Sequence, residues 1–162
     1  MKFICNKDTI LSVVQTTSKA AAGKSSIQAL EGILMELEGN TLTVTGYDLD
    51  IGIKTSIEVE GIESGNIVIS AKMAVDIIRK MPSGSITFEC SGNNLAEITN
   101  NMTSFSVSCS SADDYPNVPQ VNPDTSFTMP QKLLKSMIIQ TKFAVAVVDS
   151  KPALMGCKFE LE

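Results

Sequence analysis

Histidine and tryptophan are absent from this 162-residue chain, and its aromatics are two tyrosines and six phenylalanines. Without histidine the commonest general base and metal ligand is missing, so proton transfer or metal binding would rest on carboxylates. So few aromatics leave no platform on which unpaired bases could stack. Cys5, Cys90, Cys109 and Cys157 show no CxxC spacing, and no secretory leader precedes them. Reduced thiols and a cytoplasmic protein are therefore expected, with Cys5 and Cys157 buried in apolar strand patterns. No apolar run approaches the roughly 18 residues of a membrane span.

Catalytic constellations are missing too. Gly23-Lys24-Ser25 looks like the end of a phosphate loop, but that motif's first glycine would fall at Ser18. The segment also follows a helix instead of leading out of a strand. Asp48 and Asp50 flank a turn with no third ligand in view. Asp113-Asp114 precedes Tyr115-Pro116, where turn chemistry accounts for it. No set of nucleophile, base and oxyanion donor can be assembled, so a non-enzyme without cofactor or metal is expected.

What the chain does contain is repetition. Residues 127–162 match residues 3–38 at a constant offset of 124, without a gap, with 12 identities in 36 positions. Chance would give roughly two or three. The match predicts one complete unit at 1–125 and the opening, truncated part of a second at 126–162. A weaker repeat at offset 53 relates Ile33–Leu42 to Ile86–Leu95. Both stretches read as hairpins, turning at Gly39-Asn40 and Gly92-Asn93-Asn94, residues that tolerate positive φ. Each follows a strand and a helix: strand 2–5 and helix 7–19, then strand 66–70 and helix 71–81. Further strands are expected at 50–60 and 103–109, and 110–126 reads as a linker without periodicity. The first unit is thus expected to be α+β, two β-α-β-β-β halves with helices on one side of antiparallel sheets. In the second copy the pattern predicts strand 126–129, a helix from Pro130 to about 142, and a strand at 153–162.

Charge is distributed unevenly. The net charge is −5, yet the three predicted helices carry Lys7, Lys19, Lys72, Arg79, Lys80, Lys132, Lys135 and Lys142 against Asp8 and Asp76. Their balance is +6, which leaves −11 elsewhere. Lys72, Arg79 and Lys80 fall on one side of the second helix, opposite Met73, Ile77, Ile78 and Met81. Lys132, Lys135 and Lys142 form a stripe opposite Leu133, Leu134, Met137 and Thr141. Lys7 falls toward Ile10 and Val14. Solvation of helix surfaces accounts for any one helix. The shared bias of three points to a basic surface for a polyanion, binding phosphates without reading sequence.

Several segments resemble the bacterial sliding clamp family, the beta subunits of DNA polymerase III. They are Met1-Lys2-Phe3, Thr45-Gly46-Tyr47-Asp48-Leu49-Asp50-Ile51-Gly52, Ser70-Ala71-Lys72 with Asp76–Pro82, Ser104–Ser108 and Ala112–Pro119. The resemblance spans the whole chain, and the last two segments are specific. It implies the DNA-clamp fold, in which three similar domains per chain pair head to tail as a homodimer ring around duplex DNA. Helices line the hole, and polymerase and clamp-loader subunits dock on one face. It further implies that Lys24 and Lys72 touch DNA. Leu154 would line a partner-peptide pocket with Lys151 at its edge, and Phe105 and Val107 would lie on the strand that meets the other protomer. Pro152 and Ala153 depart from the family's usual residues after Asp149. By this reading the chain alone would not close a ring, and unpaired strand edges at 103–109 and 153–162 would favour self-association. An interaction module of the same fold with no DNA role is the alternative.

Overall fold

The computed structural model describes residues 1–92, 94–119, 126–148 and 150–160. The chain divides into two compact units, Met1–Pro119 and Gln120–Glu162.

In the first unit, β1 (Lys2–Asn6) leads into α1 (Lys7–Thr17), and β2 (Gly32–Glu38), β3 (Thr41–Tyr47) and β4 (Gly52–Glu58) follow. After the short β5 (Glu60–Glu63) the plan restarts: β6 (Gly65–Ser70), α2 (Ala71–Lys80), β7 (Ser85–Ser91), β8 (Leu95–Thr99) and β9 (Ser104–Ser110). Two β-α-β-β-β halves are therefore present. Both helices begin where a side chain satisfies free backbone N–H groups. Asn6 Oδ1 accepts from the N–H of Asp8 and Thr9, and Ser70 Oγ accepts from Met73.

The antiparallel sheet runs β4-β3-β2-β6-β9-β8-β7-β1-β5. It consists of two four-stranded blocks of matching order, β4-β3-β2-β6 and β9-β8-β7-β1, with β5 added at one end. Each half lends its first strand to the other half's hairpin: β1 pairs with β7 and β6 with β2. The halves are thus interleaved, and Phe3 stacks on Phe88 across β1 and β7 at 5.1 Å. The blocks join where β6 meets β9, at Val68–Ser110 and Ile69–Cys109.

The sheet's two terminal strands, β4 and β5, are separated in sequence by Val59 alone. Consecutive Cα atoms lie about 3.8 Å apart, so the sheet must curl until its ends meet. Val59 sits at that corner, buried, its N–H on the Asn40 carbonyl at 2.8 Å. The strand expected at 50–60 forms as β4, and β5 follows it as an additional short strand. Curling puts alternate residues of both blocks into one core, with Met35, Leu37, Leu42 and Val44 from one and Phe88, Ala96, Ile98 and Val107 from the other. Ile10, Val13 and Val14 of α1 and Ala74, Ile77 and Ile78 of α2 pack into it.

The hairpin turns are as expected, with φ +56 at Gly39 in the first and +58 at Asn94 in the second. Asn93 lies outside the described residues. Other sequence expectations are corrected. Met73 is 47% exposed, while Ala71, Ala74 and Val75 are buried, because α2 sits rotated toward its small residues. The stretch 110–119 is not a bare linker. Tyr115 is buried with Leu30, Tyr47 and Val68, and its hydroxyl donates to the Thr45 carbonyl at 3.3 Å.

The second unit repeats the local structure of the first at offset 124. The helix α3 (Gln131–Thr141) matches α1, and the 3₁₀ turns Lys142–Ala144 and Pro152–Met155 match Ser18–Ala20 and Gln28–Glu31. Hydrogen bonds repeat as well. Ala22 N–H donates to Leu30 O at 2.8 Å, and Ala146 N–H to Leu154 O at 3.0 Å. Pro130 caps α3 instead of occupying its first turn. The strands expected at 126–129 and 153–162 do not form among the described residues; residues 153–155 lie in a 3₁₀ turn. In the first unit the equivalent strands each pair with the opposite half, and the described part of the second unit holds no such half. No described residue of this unit is buried: Phe127, equivalent to the fully buried Phe3, is 52% exposed.

Candidate nucleic-acid interface

Five basic residues of the first unit, Lys19, Lys24, Lys72, Arg79 and Lys80, occupy α2 and the segment that follows α1. Helix α1 ends at Thr17, whose hydroxyl donates back to the Val13 and Val14 carbonyls. Lys19 therefore lies on the 3₁₀ turn Ser18–Ala20, where it is exposed, and not on the helix that the wheel predicts. The chain then runs through an exposed loop bearing Lys24. That loop is closed at its base by the Ala22–Leu30 hydrogen bond and braced by Ser25 N–H on Glu31 Oε1 at 3.2 Å. The same segment faces the start of α2 across a groove of ≈ 1020 Å³ lined by Ser18, Ala21, Gly23, Glu31, Lys72 and Asp76, among others. The fold thus gathers the segment bearing Lys19 and Lys24 around the start of α2, which carries Lys72.

Arg79 and Lys80 are exposed in the last turn of α2, where cations also complement the helix dipole. Arg79 reaches Asp76 at 3.7 Å. Lys7 is set apart from this surface: its side chain is largely covered and its ammonium group lies 3.3 Å from Asp8.

The helix-side lysines differ from the strand lysines in their partners. Lys2 and Lys54 are matched to strand carboxylates, at 2.7 Å to Glu89 and 4.0 Å to Glu36. Lys19, Lys24, Lys72 and Lys80 have no carboxylate within ion-pair distance among the described residues. The acidic strand residues point away from the core. Glu36 and Glu38 alternate with buried Met35 and Leu37, Glu89 follows buried Phe88, and Glu97 lies between buried Ala96 and Ile98. Charge is therefore separated across the first unit, with uncompensated cations on the helix side and carboxylates on the outer sheet face. The separation could be found in the sequence only by summing charge over helices and strands.

Asp48 is occupied in holding its own turn, where its Oδ1 accepts from the N–H of Asp50 and Ile51. On β9, Phe105 and Val107 face inward opposite Ile98 and Ala96. Among the described residues β9 meets β6 only at Cys109 and Ser110, so 104–108 keep one strand edge unpaired.

In the second unit Lys132 and Lys135 are exposed on α3. Lys142, which the wheel places in their stripe, is exposed on the following 3₁₀ turn. Leu154 is 53% exposed in its own 3₁₀ turn, with Lys151 at the start of that turn. Asp149 lies outside the described residues.

Two interleaved halves sharing one curled sheet, with a basic helix side and an acidic outer face, define the class: an α+β domain of the DNA-clamp type. The family described as DNA polymerase III beta subunit, N-terminal domain, matches residues 1–119. The chain belongs to the DNA polymerase III beta subunit family. It is 33% identical to the beta sliding clamp of Halalkalibacterium halodurans, which matches all of this chain over 45% of its own length. A DNA polymerase III beta subunit from Eubacterium rectale shares the fold with a TM-score of 0.87 at 31% identity, covering 95% of this chain and 42% of that one. For the DNA polymerase sliding clamp of Bacillus subtilis the values are 0.84 and 32%, with 94% and 42% covered. The chain thus spans less than half the length of the relatives it matches.

Proposed function

We propose that this chain supplies the first clamp domain (1–125) and the start of the second (126–162) of a non-enzymatic, cytoplasmic processivity factor. The complete protein is a homodimeric ring that encircles duplex DNA, slides along it and tethers the replicative polymerase, with clamp-loader subunits opening the ring. The observation that carries this reading is the charge separation across the first unit. Unpaired lysines on one side attract a polyanion, while carboxylates on the other repel it. A ring that must slide needs phosphate attraction without base readout, and flexible lysines supply that.

Lys24 and Lys72 are the primary DNA contacts, supported by Lys19, Arg79 and Lys80 and, in the second copy, by Lys132, Lys135 and Lys142. Leu154 with Lys151 forms the first edge of a partner-peptide pocket. The unpaired edge of β9 near Phe105 and Val107 meets the other protomer. The test is a salt titration of duplex binding by the full-length ring. Lys24→Glu with Lys72→Glu is expected to weaken binding about tenfold at low salt and to flatten the salt slope by about 2. Unchanged affinity and slope would instead favour an interaction module without a DNA role.

A further inference from the structure

Two of the four cysteines meet in a way that no replication role requires. Cys90 on β7 pairs with Ala96 on β8, and Ala96 pairs with Val107 on β9. Cys109 lies two residues beyond Val107 and so shares its face. The two cysteines are therefore diagonal neighbours across Ala96, whose single methyl leaves room above the middle strand. Their sulfurs stand 3.1 Å apart in a thiol–thiol hydrogen bond. Cys109 is fixed from behind by its N–H on the Asn94 carbonyl at 2.9 Å and by its pairing with Ile69 at the seam between the blocks. Both side chains are half-buried, and both are free thiols.

We propose that Cys90 and Cys109 are a reversible dithiol site that closes to an intramolecular disulfide by exchange with a small-molecule disulfide. A disulfide bond measures about 2.05 Å and joins Cα atoms within about 7 Å. Closure therefore needs about 1 Å of approach between the sulfurs, together with movement of β9 toward β7 over the intervening β8. Cys90 attacks first. The Cys109 thiol, pushed up to about 12 by burial and then by the hydrogen bond and charge of Cys90, keeps its proton. The Cys90 thiolate bonds to one sulfur of the reagent and expels the other half as a thiolate. Once Cys90 is capped, its hydrogen bond and its charge no longer add to the burial that raises the Cys109 thiol. Cys109 then attacks the Cys90 sulfur and releases the second half of the reagent. The protein loses two electrons, the reagent becomes two thiols, and the two cysteine protons end on them. The product links β9 to β7 across β8, beside the seam, and so fixes the strand that carries Phe105 and Val107. In a reducing compartment such a bond is transient, a record of oxidation and not a structural brace.

The experiment equilibrates the full chain with oxidised glutathione, blocks remaining thiols with N-ethylmaleimide, and reads intact mass and peptide maps under denaturing conditions. The expected product is monomeric, lighter by two hydrogens before alkylation, with Cys5 and Cys157 blocked and Cys90 joined to Cys109. The Cys109→Ser variant is expected to stop at a stable glutathione adduct on Cys90. Four blocked thiols in the wild type, a bond that includes Cys5 or Cys157, or oxidation only between chains would each overturn the proposal. Cys109→Ser remaining free of adduct would overturn the order of attack.

Discussion

Tyr115 illustrates how much one residue's role depends on partners distant in sequence. Its segment, rich in Ser, Asp, Asn and Pro, reads as linker because it lacks periodicity. Its burial depends on Leu30, Tyr47 and Val68, and its hydroxyl partner, Thr45, is 70 residues away. Burial pushes the Tyr115 phenol up to about 12, and it does the same to the Cys5 thiol. Both groups are neutral when protonated. The unfolded chain releases these protons from about pH 9 for the thiol and about pH 10 for the phenol, while the folded chain holds them to about pH 12. The folded state thus binds more protons in that window, and stability falls as pH rises through it. The expected loss is up to about 1.4 kcal/mol per pH unit for each group. Urea midpoints measured from pH 8 to 11 should therefore decline. Tyr115→Phe should flatten the decline above about pH 10 while costing about 1 kcal/mol at neutral pH for the lost hydrogen bond. An unchanged slope in that variant would refute the assignment.

At the scale of elements, helix starts are legible in the sequence, as is the end of α2 before Pro82, but the end of α1 is not. Asn6 and Ser70 are caps by residue type, and both helices begin directly after them. After Thr17, whose hydroxyl bonds back to its own helix, α1 tightens into a 3₁₀ turn, and α3 repeats this after Thr141, whose hydroxyl bonds to Met137 and Ile138. A helical wheel cannot anticipate that, so it misplaces Lys19 and Lys142 by one element. The seating of α1 depends on Gly46 of β3. A Cβ there would stand 2.0 Å from the Thr17 carbonyl oxygen, a backbone atom that cannot move without the helix. Gly46→Ala is expected to displace α1 and lower the stability of the first unit by about 2 kcal/mol or more, measured by urea unfolding. A change below about 0.5 kcal/mol would show that the helix end yields freely.

At the scale of the whole chain, the two units differ in kind. The first holds a core drawn from seven of its strands and two helices, whereas the second repeats the local turns and hydrogen bonds of the first with no buried residue among those described. Folding free energy comes mainly from burial, so it resides in the first unit. Limited proteolysis under native conditions is expected to cut within 126–160 first and to leave a resistant product close to 1–119. That product should unfold at the same urea concentration as the intact chain. A first cut inside 1–119, or a lowered midpoint after trimming, would show that the second unit contributes to the fold.

The sequence by itself determined the repeats, the two-half plan, the helix starts and the bias of positive charge toward helices. Each of these depends on local spacing or composition, which a linear reading retains. Only the tertiary structure decided that the halves exchange first strands, that Val59 folds the sheet's two ends together, and that Tyr115 belongs to a core. It also brought Cys90 and Cys109 together across Ala96, and it left the second copy's matching residues exposed where the first copy's are buried. Strand pairing and burial depend on which distant segments meet, and the helix and turn patterns repeated at offset 124 form the same hydrogen bonds whether or not a core lies beneath them.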